Sequence, residues 1–213
     1  MSSRHLKTVT RTFQVCGKFA LFSRPDTGRD KMTYQFITPG AVRGLCGTFY
    51  HTSRLEFWPL TVAILAPIQV ISGRRTNLSG IVYGGVGVAP LSGTSDSTLY
   101  LLDVRYRITV QIHGPANDIR RWDQRVAAGA FAAPPYLGVR ECMARIEPVD
   151  DTPPMQVTLF EPAMCLSNNG PRRRVEAING MVTYPPETRQ ALQNRHRGAS
   201  LNDIFTEEAD DVA

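Results

Sequence analysis

The chain has 213 residues, 42% hydrophobic and 20% charged, a composition typical of folded globular proteins rather than disordered or fibrous ones. It has no run of about 18 apolar residues, so no membrane-spanning helix is expected. The opening MSSRHLKTVTRTFQV lacks the apolar core of a secretory signal, which predicts a cytoplasmic protein. Net charge is +5 despite the acidic cluster Glu207, Glu208, Asp210 and Asp211, and apart from Lys7, Lys18 and Lys31 all 24 basic residues are arginine.

In chain order, RTFQVCGKFALF (residues 11–22) predicts a strand, with Gly17 expected to mark a bulge. TPGAVRGLCGTFYH (38–51) predicts a helix. Thr38 suits the N-cap and Pro39 the first turn, while Val42, Leu45, Cys46 and Phe49 recur at helical spacing as one apolar stripe. Arg43, Gly47 and Tyr50 form a second stripe, with His51 beside it. LEFWPLTVAILAPIQVISG predicts two strand segments or one bent strand, broken by Pro59 and Pro67. The Gly-, Ser- and Thr-rich residues 73–98 suggest a long hairpin or loop.

STLYLLDVRYRITVQIHG is the clearest strand, with Val104, Tyr106, Ile108, Val110 and Ile112 alternating against polar neighbours. A second helix is predicted from about Pro115 to Ala128, with Ile119, Trp122 and Val126 on one side and Arg121 and Arg125 on another. GAFAAPPYLGVRECMARIEPV then supplies a loop carrying Gly129 and Gly138, followed by a strand. The order β-α-β-β-α-β predicts an α+β, ferredoxin-like (RRM-like) domain over residues 1–150. PVDDTPP reads as a linker. MQVTLFEPAMCL, GPRRRVEAI and INGMVTY read as a small C-terminal antiparallel β region over 151–186. Residues 187–213 read as a weakly ordered, acidic-ended tail.

Cys16, Cys46, Cys142 and Cys165 have no C-x-x-C spacing and the four histidines are dispersed, so free buried thiols, no metal site and no cofactor are expected. Guanidinium groups grip phosphate bidentately and stack on bases, so the arginine excess fits a nucleic-acid partner, although a GC-rich genome produces the same bias. Without further context, Tyr50 and His51 serve equally well as a helix end, GRRTN (73–77) as a solvated turn and PRRRV (171–175) as a charged strand edge. No RNP1 signature is present, which counts against an ordinary RRM protein.

GKFALFSRPD, TPGAVRGLCGTFYH, LAPIQVISGRRTN and PPYLGVRECMARIE, taken in order, resemble the type I-C (Dvulg) branch of the CRISPR-associated "Cas five" proteins of the RAMP superfamily, over roughly residues 13–149. The resemblance implies a ferredoxin-like domain that binds the 5′ handle of a CRISPR RNA inside a Cascade surveillance complex. Its partners would be the backbone and large subunits and, through the assembled complex, target DNA. It also implies an RNA-binding set of Arg24, Arg43, Tyr50, Arg74, Arg75, Arg121, Arg125, Gly138 and Arg140.

Many members of that branch cut precursor RNA without metal, by attack of the ribose 2′-OH on its neighbouring phosphate. The chain departs from them at one place: the family's lysine–histidine pair falls on Asn117 and Asp118. Asparagine carries no charge and an ionised aspartate repels a developing phosphorane, so the expected role is handle binding without cleavage. The alternative is a nuclease using Tyr50 with His51 or His113, with Arg120 or Arg121 stabilising charge.

Overall fold

The alternation through Val104, Tyr106, Ile108, Val110 and Ile112 forms β4 (Thr94–Pro115), and all five side chains are buried. A period of two places them on one face of the strand. The structure, a computed structural model, describes residues 6–24, 27, 31–77, 94–157, 164–166 and 173–184; the side chains of 74–77, 94–97, 164–166 and 173–174 fall outside that description. No helix among the described residues is long and apolar enough to cross a membrane.

Around β4 the rest of the sheet is antiparallel. β1 (Leu6–Ala20) pairs with it from Leu6 opposite Pro115 to Ala20 opposite Leu101. On its other side β2 (Glu56–Ile64) covers Tyr106–His113, and β3 (Gln69–Asn77) covers Thr94–Leu102. β5 (Arg145–Glu147) adds to the free edge of β1. β1 therefore starts five residues before the predicted strand, because its polar N-terminal half still finds a partner in β4.

The expected bulge at Gly17 is absent, since the β1–β4 register keeps the same offset on both sides of it, although the ladder skips the next pair, Lys18 and Asp103. A Cβ on Gly17 would lie 2.6 Å from Leu137 Cδ1, so this glycine makes room for a packed loop instead. The ladder irregularities are a register shift between Pro59 and Thr61 in β2 and, opposite Lys18, Asp103 of β4, where φ is 49°. Pro59 thus sits inside a strand at its bulge, where a missing N–H is tolerated. The break between β2 and β3 falls at Leu65–Ile68, around Pro67.

α1 (Pro39–Phe49) begins at Thr38, whose hydroxyl accepts from the Ala41 N–H at 3.2 Å. Its Val42, Leu45, Cys46 and Phe49 are fully buried against the sheet. Full burial of such a side chain contributes roughly 2 kcal/mol. α2 (Ala116–Ala127) follows β4 directly and inserts Trp122, 1% exposed, between Phe13, Phe49 and Phe57. Both helices thus cover one face.

The opposite face is partly strapped. Residues 148–155 cross from the β5 edge to β2, where the Met155 N–H donates to the Ile64 carbonyl at 2.8 Å. Arg105 donates to Glu147 at 2.9 Å and Asp150 at 2.7 Å, and Arg107 donates to the Thr152 carbonyl at 2.9 Å and to the Asp150 carbonyl.

In the C-terminal region β6 (Met164–Leu166) and β7 (Arg173–Val175) make a separate two-stranded ladder. β8 (Ala177–Ile178) and β9 (Met181–Thr183) form a hairpin whose turn residues Asn179 and Gly180 have φ of 49° and 73°, the paired positive values of a type I′ turn. β9 pairs with β2, so this hairpin extends the main sheet. The strand expected from Met155 begins only at Met164 among the described residues, and residues 187–213 lie outside them.

Candidate nucleic-acid interface

At the C-terminal end of α1 the chain leaves the helix at Tyr50, and α2 starts at the end of β4, so the two termini meet. The Tyr50 hydroxyl donates to Asp118 Oδ1 at 3.2 Å, and Arg54 donates to the same oxygen at 2.9 Å. Arg121, one turn further along α2, approaches the Tyr50 hydroxyl at 3.4 Å. This hydrogen bond raises the Arg121 pKa further above its already high ordinary value.

Asp118 itself is 2% exposed. It lies in the first turn of α2, where the partial positive charge of the helix terminus favours an anion, and Arg54 supplies the counter-ion. Gly114 lets the end of β4 pass the Arg54–Leu55 backbone, because a Cβ there would lie 2.6 Å from the Arg54 carbonyl oxygen.

A second feature lies along another face of α1. Gly44, Gly47, Thr48 and His51 form one wall of a cleft of about 730 Å³, with Ala132, Ala133, Pro134, Tyr136, Arg140 and Met143 opposite. The N–H groups of Ala132 and Ala133 donate to the Thr48 carbonyl at 2.8 and 3.2 Å, which ties the loop to the helix end. A Cβ on Gly47 would meet nothing within 4 Å. The bare glycine of the second stripe therefore keeps this cleft open, with His51 and Arg140 both on it.

Other predicted residues are placed differently. His113 is on the sheet face away from the helices, stacked on Trp58 with ring centroids 5.7 Å apart and hydrogen-bonded to Thr8 at 2.8 Å. Its neighbour Ile112 faces the core, so alternation turns His113 away from Tyr50. The set Tyr50, His51 and His113 is thus not assembled: Tyr50 faces α2, His51 faces the cleft and His113 lies across the sheet.

Arg74 and Arg75 pair with Ser97 and Asp96, at the opposite end of β4 from Pro115. They are carried away from the helix junction by roughly 18 residues, on the order of 60 Å of extended strand. A single cleft joining Arg43, Arg74 and Arg75 is therefore not formed at that junction. Arg24 lies over the Tyr34 ring at 5.9 Å, in the loop beside Met32. Arg43 is half-buried on α1, while Arg125 is half-buried near the end of α2.

Gly138 has φ of 89°, and a Cβ there would lie 1.9 Å from the Leu21 carbonyl oxygen. The close approach it permits is to the protein's own backbone. Asn117 and Arg120 line a shallower groove with Lys7 and Arg11, where Arg11 is paired bidentately with Asp123. The sequence reading missed Arg54 because it lies in a short loop with no motif. Asp118 stood out only as a departure, since nothing local names Arg54 as its partner.

An antiparallel sheet with two helices on one face, and tyrosine, histidine and arginine side chains gathered where those helices end, defines a mixed α/β protein with a cationic surface beside an open cleft. Residues 12–206 match the Cas5d family model, CRISPR-associated protein (Cas_Cas5), and the chain belongs to that family. It is similar to the CRISPR pre-crRNA endoribonuclease Cas5d of Mannheimia succiniciproducens, 23% identical over 167 residues that span 68% of this chain and 74% of that protein. The protein of the same name from Thermus thermophilus is 27% identical over 151 residues, spanning 66% of this chain and 65% of its own length. The fold is similar to that of a crystal structure of a CRISPR-associated protein, with a TM-score of 0.62, 18% identity and coverage of 86% of this chain and 96% of that one. A functionally uncharacterized Streptococcus mutans protein has a TM-score of 0.57 at 17% identity, over 87% and 96% of the two chains.

Proposed function

We propose that the protein binds and caps the 5′ handle of a CRISPR RNA as a subunit of a type I-C-like Cascade complex. The single observation that carries this reading is the family match over residues 12–206. The strand order β5-β1-β4-β2, with both helices as crossovers, supports a ferredoxin-like topology if β2 and β3 count as one bent strand. The RNA path proposed runs along α1, from the Tyr50–Arg121 junction past Arg43 to the cleft of His51 and Arg140. Backbone and large subunits are the proposed protein partners, and target DNA is reached through the assembly.

The names of both relatives, pre-crRNA endoribonucleases, favour a second reading, cleavage of precursor CRISPR RNA. Against it stands the proton inventory at Tyr50. Among the described residues its hydroxyl meets a buried carboxylate and a guanidinium, and neither His51 nor His113 is hydrogen-bonded to it. Binding without cleavage is therefore preferred.

The test is the affinity of purified protein for its cognate repeat handle as a function of salt. Affinity should fall steeply with salt, because released counterions dominate protein–phosphate association. Arg43→Ala, Arg121→Ala and Arg140→Ala should each weaken it while leaving the melting temperature unchanged. Normal binding by all three variants would overturn the proposed path.

A further inference from the structure

We infer that Arg54 and Arg121, linked through Tyr50 to the buried carboxylate of Asp118, form a binding site for a single phosphodiester group of RNA, with Asp118 as a positioning residue that touches no RNA. This assignment rests on the RNA-binding reading above and adds to it two residues, Arg54 and Asp118, that the family resemblance does not supply.

The chemistry begins with an asymmetry. The Asp118 side chain is 3% exposed, whereas that of its partner Arg54 is 45% exposed and Arg121 is on the surface. The acid is beneath and the bases are above. One Asp118 oxygen takes both the Tyr50 hydroxyl and an Arg54 N–H, while Oδ2 is buried with no partner among the described residues. Burying a half-satisfied carboxylate is unfavourable for folding, so its place calls for a reason beyond stability.

The arrangement itself supplies one. A single carboxylate fixes a tyrosine and an arginine from the loop after α1, and the tyrosine is in turn approached by an arginine of α2. Two guanidinium groups face one carboxylate, which leaves one uncompensated positive charge, the complement of one phosphodiester. Each arginine commits one N–H to this cluster, and a guanidinium carries five in a planar fork that matches phosphate oxygens. Asp118 thus becomes a support for cations instead of a repulsive charge on the surface.

Simple electrostatics and this assignment predict opposite signs, which makes a test. Removing a negative charge near RNA should tighten binding if Asp118 is only a neighbouring acid. If it positions Arg54 directly and Arg121 through Tyr50, Asp118→Asn should weaken handle binding, about tenfold, because both phosphate-binding guanidinium groups lose their anchor. The handle is made as a series of RNAs, each with one neutral methylphosphonate linkage, and bound to wild type, Asp118→Asn, Arg54→Ala and Arg121→Ala.

Wild type should lose affinity at one linkage in particular, and Arg54→Ala and Arg121→Ala should lose little more when that same linkage is neutral. Each arginine variant should also lower the slope of log affinity against log salt by about 0.7. Should Asp118→Asn fail to fold, the two arginine variants decide alone. Full and equal sensitivity to every neutral linkage in both arginine variants, or tighter binding by Asp118→Asn, overturns the assignment while leaving RNA binding intact. A wild type that binds no handle RNA overturns both readings.

Discussion

The indole N–H of Trp122 donates to the backbone carbonyl of Cys46 at 3.1 Å, joining α2 to α1 across 76 residues of sequence. This bond and the aromatic cluster around it set the distance between the helices, and hence where Tyr50 meets Asp118 and Arg121. Trp122→Ala should cost about 3–5 kcal/mol in urea unfolding, the range for deleting a buried large aromatic. It should also weaken handle RNA binding although Trp122 is itself buried. Full RNA affinity in a folded Trp122→Ala would show that the junction does not depend on helix packing.

Two glycines should respond in opposite directions. Gly47 lies in the last turn of α1 with open space where a Cβ would go, so Gly47→Ala should stabilise the protein, by at most about 1 kcal/mol. Gly138→Ala should destabilise it, since positive φ and the Leu21 carbonyl both oppose a side chain. Gly47→Leu separates stability from function: by filling the cleft it should weaken handle binding without lowering the melting temperature. Tight binding by Gly47→Leu would remove the cleft from the RNA path.

Acid should loosen the strap over the open sheet face. Glu147 is held below the usual carboxylate range by the Cys16 thiol and by Arg105, and Asp150 is held there by Thr152 and Arg105. A depressed folded pKa means that the unfolded chain binds more protons on acidification. The stabilisation is therefore complete at neutral pH and lost as pH falls through about 4 and below. Arg105→Gln should start less stable and lose less between pH 6 and pH 3. Equal losses in the two proteins would place the acid sensitivity elsewhere.

Cleavage can be separated from binding in one assay. Cognate repeat RNA incubated with the protein in EDTA should remain intact, and binding should persist. A single cut leaving a cyclic phosphate or 3′-phosphate end, abolished in Tyr50→Phe, would establish the nuclease reading instead. His113→Ala should change neither result, because His113 lies on the other face of the sheet.

Local periodicity was enough to read much of this molecule. The stripe Val42–Leu45–Cys46–Phe49, the cap at Thr38 and the alternation along β4 each arise from a repeat of 3.6 or 2 residues, which the chain carries without reference to distant partners. The same is true of the Asn179–Gly180 turn, whose two positive φ values demand those residue types. The arginine-rich composition and the family motifs also sit in the primary structure, and they pointed to RNA.

Pairing and facing were settled by the folded chain alone. The register of β4 turns His113 to the sheet face opposite Tyr50, and the β3–β4 ladder places the backbone of Arg74 and Arg75 at the end of that strand distant from the helix junction. Asp118 read as a liability, yet folding buries it under Tyr50 beside Arg54 from a loop that no motif marks. Such contacts join residues 64 and 68 positions apart. A window of one helix or strand carries no trace of them, because they exist only once two elements have packed and the buried charge has found its counter-ion.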